Sequence, residues 1–149
     1  MTEILFYHLT ESTLEDALPS LLERSIERGW KVVVEAGTAE RMALLNAHLW
    51  TYKEDSFLPH GTASEAYPEE QPVLLATDSA NPNGANVRFH VDGSMPTAVS
   101  GYTRVVLMFD GHNNSQTADA RIAWKRLKGE GHNLTYWQQN QDRRWEKKA

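Results

Sequence analysis

The chain has 149 residues, a net charge of -5 and no cysteine. Its length suits one domain with an ordinary hydrophobic core. The absent cysteines exclude a disulfide framework, a thiolate nucleophile and a cysteine zinc site, and the acidic balance disfavours broad nucleic-acid binding.

That charge is unevenly placed. Residues 1–120 carry seven basic and 17 acidic side chains, whereas residues 121–149 carry eight basic and three acidic. A positive patch on an acidic body points to an acidic partner or a phosphate backbone at the C-terminal part, or is simply a solvated helix face with a basic tail. The start Met1-Thr2-Glu3-Ile4-Leu5-Phe6 lacks the basic opening and long apolar run of a signal peptide. Apolar runs such as Val105 to Phe109 fall far short of the ~20 residues needed to span a bilayer. A cytoplasmic protein that does not cross a membrane is therefore expected.

Taken in chain order, Glu3 to Leu9 reads as a strand. Ser12 and Glu15 have capping-box spacing ahead of the apolar periodicity of Leu14, Leu18, Leu21, Leu22 and Ile26, which predicts a helix closed by Gly29. Lys31 to Glu35 is a β-branched strand, and Gly37-Thr38 opens a second helix along Met42, Leu45 and Leu49 that ends near Trp50 and Tyr52. Pro59 and Gly61 keep the following segment from being helical. Three further strands are predicted over 73–77, 86–91 and 104–110, separated by turns around Asn81-Pro82-Asn83-Gly84 and Gly93-Ser94-Met95-Pro96. A last helix runs from about Ser115 to Lys128, Gly129 and Gly131 end it, and residues 133–137 make a final strand. Strands alternating with helices, several of them apolar on both faces, predict a mostly parallel sheet covered by helices on both faces. Residues 1–137 are read as one domain and 138–149 as a basic C-terminal extension, with 62–70 and 138–149 expected to be mobile.

No catalytic or cofactor motif stands out. The first strand is not followed by a glycine-rich loop, and the phosphate cradle of a P-loop enzyme is missing, although the Gly37-Thr38 turn offers helix N-terminal amides to an anion. His8, His48, His60, His90, His112 and His132 show no paired metal-ligand spacing, and Asp110-Gly111-His112 is the sort of strand end a catalytic pair can occupy. No cofactor and no metal are expected.

Two places read as binding surfaces. Leu49 to Gly61 mixes Trp50, Tyr52, Phe57 and Leu58 with turn residues; Trp50 and Phe57 either tuck under the loop as a satellite core or form a partner hot spot. In the last helix Arg121, Trp124, Lys125 and Lys128 are spaced i, i+3, i+4 and i+7, so they project from one face. An aromatic among three cations suits an acidic peptide with a free C-terminus. A stacked base with phosphate contacts is the competing use, and Trp124 turned into the core is the structural alternative.

Leu49-Trp50, then Ser56-Phe57-Leu58-Pro59-His60, then the Arg121 to Lys128 helix leading into Gly131-His132-Asn133-Leu134 together resemble the chi subunit of bacterial DNA polymerase III. The likeness covers nearly the whole chain and is loosest over 62–100. It implies a Rossmann-like three-layer α/β fold and a non-catalytic adaptor of the clamp-loader complex. By that resemblance Arg121, Trp124, Lys125 and Lys128 would bind the acidic C-terminal tail of single-stranded DNA-binding protein, and Trp50 and Phe57 would bind the psi subunit, a clamp-loader component or a helicase-like repair protein. The alternatives are a direct single-stranded nucleic-acid binder using the basic C-terminal stretch, a helicase-associated repair adaptor, and a nucleotide- or metal-dependent enzyme on the same scaffold.

Overall fold

A computed structural model describes residues 2–51, 60–62, 70–78, 80–97 and 99–149, with the side chains of residues 50 and 51 excepted. The elements run β1 (Glu3–Leu9), α1 (Leu14–Glu27), β2 (Val32–Ala36), α2 (Ala39–Thr51), β3 (His60–Thr62), β4 (Val73–Ala76), β5 (Val87–Val91), β6 (Arg104–Asp110), α3 (Asn114–Gly129), β7 (Asn133–Gln139) and β8 (Trp145–Lys147). The strands form one sheet in the order β3-β4-β2-β5-β6-β1-β7-β8, parallel throughout except for β8, which runs antiparallel to β7. This is the α/β, Rossmann-like three-layer arrangement, with β-branched, doubly buried runs such as Val32–Val34 and Val105–Leu107 at its centre.

Strand alternation sorts the core into two sides. Leu5 and Leu9 of β1 face α1 and α2 together with Val32, Val34, Val106 and Met108. Ile4 and Phe6, one residue out of phase, face Ala120, Ala123 and Leu127 of α3 together with Val105, Leu107 and Phe109.

Helix α1 begins at Thr13, whose hydroxyl accepts from the amide of Asp16; the expected capping position, Ser12, lies one residue earlier. Pro19 sits inside α1 and has no amide for the carbonyl of Glu15, and His48 of α2 donates to that oxygen instead, at 2.7 Å. This bond joins the two helices on one face of the sheet. Helix α3 is capped by Asn113, whose side chain accepts from the amide of Gln116.

The end of the chain departs from expectation. Residues 138–149 are not a loose tail, because β7 continues to Gln139 and β8 folds back along it, pairing Trp137 with Lys147 and Gln139 with Trp145. Trp145 meets Tyr7 edge-on at 4.7 Å. The buried Gln139 side-chain oxygen accepts from the amides of Thr10, Glu11 and Ser12, at 3.3, 3.2 and 3.0 Å, and so fixes the loop between β1 and α1. Aromatic packing and satisfied backbone donors hold the hairpin where polar composition alone predicts mobility. The short strand β3, within a segment expected to be loop, pairs parallel with β4.

A charged network is buried on the α3 face of the sheet, on the neighbouring strands β2 and β5. Arg88 is 2 % exposed and bonds Glu35, the carbonyls of Asp78 and Ala80, and the Tyr102 hydroxyl. His90 meets Ser94 at 2.9 Å, and Ser94 donates to Glu35. Burial alone would raise the Glu35 carboxyl, but hydrogen bonds from His90, Ser94 and Arg88 outweigh it and bring it down to about 2.

Candidate partner-binding cleft

Helix α3 lies over β6, β1 and β7, and the space between its exposed flank and the strands is a cleft of about 540 Å³ lined by His8, Phe109, Thr117, Ala120, Arg121, Trp124, Lys125, Tyr136 and Ala149. That volume is typical of a small-ligand or peptide-terminus site. Strand alternation and register build its floor. Phe6 and His8 of β1 point to this face, Phe109 comes from β6 next to His8, and Tyr136 of β7 lies beside Phe6.

The floor is aromatic and tightly interlocked. His8 stacks on Phe109 at 4.8 Å, and the Tyr136 hydroxyl lies 2.7 Å from His8 Nδ1. Burial, with His112 and Arg121 nearby, lowers the His8 imidazole from its ordinary range, which favours the neutral ring as acceptor of the hydrogen bond from the Tyr136 hydroxyl. Burial raises the Tyr136 hydroxyl, with Arg121 pulling it the other way.

Three of the four predicted residues meet at this cleft. Arg121 and Lys125, one turn apart and exposed, form no salt bridge with any described residue. Trp124 stands between them, half-buried, edge-on to Phe6 at 5.2 Å and to Tyr136 at 5.7 Å. It is therefore core and cleft wall at once, where sequence reading opposed the two. Lys128 is not in the lining; its ammonium lies over the Trp124 ring, 6.0 Å from the centroid. Trp50 falls in the last turn of α2, but its side chain lies outside the described residues, as does the whole of Phe57.

Sequence reading missed His8, Phe109 and Tyr136. Their signal was the alternation of Phe6 with His8 and of Leu134 with Tyr136, which assigns a face only once β7 is known to lie beside β1. The chain's end also reaches the rim, where the Tyr136 amide donates to the Ala149 carbonyl at 3.1 Å and the Lys148 amide to the Tyr136 carbonyl at 2.7 Å.

At the carboxyl ends of β1 and β6, where open α/β sheets commonly hold ligands, a second recess of about 300 Å³ is lined by the loop after β1 together with Arg41, Asp92, Asp110 and His112. Arg41 is held there by Glu15 and, at 3.1 Å, by Asp92. With Glu11 and Asp110 also on the rim, carboxylates outnumber cations, a field that opposes nucleotide phosphates. Among the described residues no three acids or histidines are grouped to hold a metal ion, and no helix is long and apolar enough to cross a membrane.

Fold and cleft thus define a three-layer α/β domain whose positive, aromatic groove lies under its last helix, away from the usual nucleotide position. The chain belongs to the DNA polymerase III chi subunit family: residues 1–135 match the family described as "DNA polymerase III chi subunit, HolC". It is 30% identical over 87 residues, 58% of this chain and 53% of the relative, to a protein named "Probable DNA polymerase III subunit chi" from Rickettsia prowazekii (strain Madrid E). The chain thus spans about half the length of the curated relative it matches. The family is a replication accessory subunit of the polymerase. Strand β8 lies beyond the matched residues.

Proposed function

We propose that the chain is a non-catalytic, cytoplasmic adaptor that links the clamp-loader complex to single-stranded DNA-binding protein by capturing its acidic C-terminal tail in the cleft under α3. The observation that carries this reading is the pair of cations, Arg121 and Lys125, that form no salt bridge among the described residues and flank Trp124 above an apolar floor. A terminal carboxylate and preceding acidic side chains would take charge-assisted hydrogen bonds from the two cations, each contributing roughly 1 to 3 kcal/mol. The tail's apolar end would pack on Trp124, Phe109 and Tyr136. Lys128, resting on the indole, would add attraction at longer range. Lys128 over one part of the ring, with Phe6 and Tyr136 against its edges, favours a peptide over a stacked base.

A second surface around Trp50 and Phe57 is proposed to hold the psi subunit, a clamp-loader component or a helicase-like repair protein. Its support is the family membership and the position of Trp50 at the end of α2.

The test is calorimetric titration of the protein with a peptide copying the tail of its own single-stranded DNA-binding protein, beside the same peptide lacking its last residue. Micromolar affinity lost on truncation supports capture of a carboxylate-terminated tail. No binding of the full peptide sinks the adaptor reading. Trp50→Ala should leave the titration unchanged while weakening pull-down of the second partner.

A further inference from the structure

The opposite face of the sheet carries a second positive site. Arg24 projects from the last turn of α1, Arg28 from its C-cap and Arg104 from the start of β6, and all three line one recess of about 90 Å³ with Tyr7 and Trp30. At about 30 Å³ per water, the recess holds about three waters or one small oxyanion. Among the described residues no carboxylate lines it. Glu3, beside it, is paired with Arg104 at 3.2 Å, whereas Arg24 and Arg28 form no salt bridge among the described residues.

The groups are preorganised and incompletely used. Arg28 and Arg104 each lie 5.1 Å from the Trp30 ring centroid, so the indole positions two guanidiniums. Among the described residues, Arg104 Nε is buried without a hydrogen-bond partner. Adjoining the recess on the same face, Tyr7 stacks on Trp137 at 6.4 Å and meets Trp145 edge-on. Helix α1 packs on β2 and β6 and leaves both tryptophans half-buried. By register Lys147 lies beside Trp137 on this face.

We propose that this face binds single-stranded nucleic acid, one backbone phosphate seated among Arg24, Arg28 and Arg104 and the neighbouring bases lying on the Tyr7, Trp137 and Trp145 surface. The convergence of three arginines on a recess that no carboxylate lines among the described residues selects a phosphate. The aromatic surface sharing Tyr7 with that recess selects a strand whose bases are unstacked and available. Tyr7 and His8 are successive residues pointing to opposite faces, so this site and the cleft are separated by the sheet. A strand and a peptide would occupy the two faces together without competing.

The experiment is a fluorescence-anisotropy titration of a labelled thymidine oligonucleotide with the intact protein across a range of salt, repeated for Arg24→Gln/Arg28→Gln and for Arg121→Ala, with thermal melts to establish that each variant is folded. Wild type should bind at low salt. The double variant should bind at least tenfold more weakly, with a log–log salt slope shallower by about 1.4, two phosphate contacts at about 0.7 each on a single strand. Arg121→Ala should bind as wild type. Inorganic phosphate should compete with the oligonucleotide on wild type. The proposal is overturned if wild type does not bind at low salt, if the folded double variant binds like wild type, or if an acidic tail peptide displaces the oligonucleotide from Arg121→Ala, which would make the recess a peptide site. Should the double variant fail to fold, Arg24→Gln alone, at an exposed position, gives the same test with half the slope change.

Discussion

The Trp124 indole meets the Tyr136 ring edge-on, 5.7 Å between centroids, and so ties α3 to β7 through the wall of the cleft. The same indole is packed on Phe6, so its two roles separate by substitution. Trp124→Ala should cost about 2 to 3 kcal/mol of stability, less than a fully buried aromatic because the ring is only half-buried, and should also abolish measurable tail binding. Arg121→Ala removes an exposed cation with no salt-bridge partner among the described residues. Its unfolding midpoint should match wild type while tail affinity falls about tenfold, or 1.4 kcal/mol. Denaturant melts and calorimetry on the two variants check this; equal tail affinity for Arg121→Ala and wild type would remove Arg121 from the site.

The Glu35–Arg88 pair predicts a pH dependence of stability. The Glu35 carboxyl is depressed from 4.5 to about 2 in the folded chain, so its contribution is fully present above the unfolded value and is lost as pH falls from about 4.5 toward 2. The loss is on the order of 3 kcal/mol. Glu35→Gln should flatten the stability curve in that window. At neutral pH it should be strongly destabilising, because Arg88 is left charged and buried. Urea melts from neutral to acid pH measure both effects, and an unchanged acid slope would assign the sensitivity to other carboxylates.

These two sites also mark what the sequence could reveal. The central strands were legible because β-branched runs such as Val32–Val34 are buried on both faces, and the cleft's cationic wall because Arg121, Trp124 and Lys125 share a helical face. The floor was not legible, since placing Tyr136 beside Phe6 depends on a pairing between strands 130 residues apart in number. Glu35 and Arg88 lie on neighbouring strands, yet 53 residues separate them. Strand β8 was hidden for a different reason. Its composition is polar, and its stability comes from Trp145 on Tyr7 and from pairing with β7 rather than from any local pattern.

His48 and Pro19 should be energetically coupled through the Glu15 carbonyl. His48→Ala leaves that oxygen without the donor that replaces the missing proline amide, and should cost about 1 to 2 kcal/mol. In a Pro19→Ala background the helix supplies its own amide, so the same substitution should cost distinctly less. A double-mutant cycle by chemical denaturation reads the difference. Equal costs in the two backgrounds would mean that His48 contributes otherwise than through the Glu15 carbonyl.

Gly111 offers a way to move the cleft floor without touching its charges. A side-chain carbon there would stand 2.6 Å from His8 Cδ2 and 2.8 Å from the Leu9 carbonyl, closer than such contacts allow. The Gly111 amide already donates to that carbonyl at 2.8 Å, so the backbone has little freedom to yield. Gly111→Ala should therefore push the imidazole, breaking its 2.7 Å bond with Tyr136 and disturbing its stack on Phe109. The cost to stability should be about 1 to 3 kcal/mol. Tail affinity should fall several-fold although Arg121, Trp124 and Lys125 are intact. Shifts of the His8 and Tyr136 ring resonances, followed beside peptide titration, give the readout. Unmoved rings with weakened binding would place the effect outside the floor, whereas moved rings with unchanged affinity would show that the peptide relies on α3 alone.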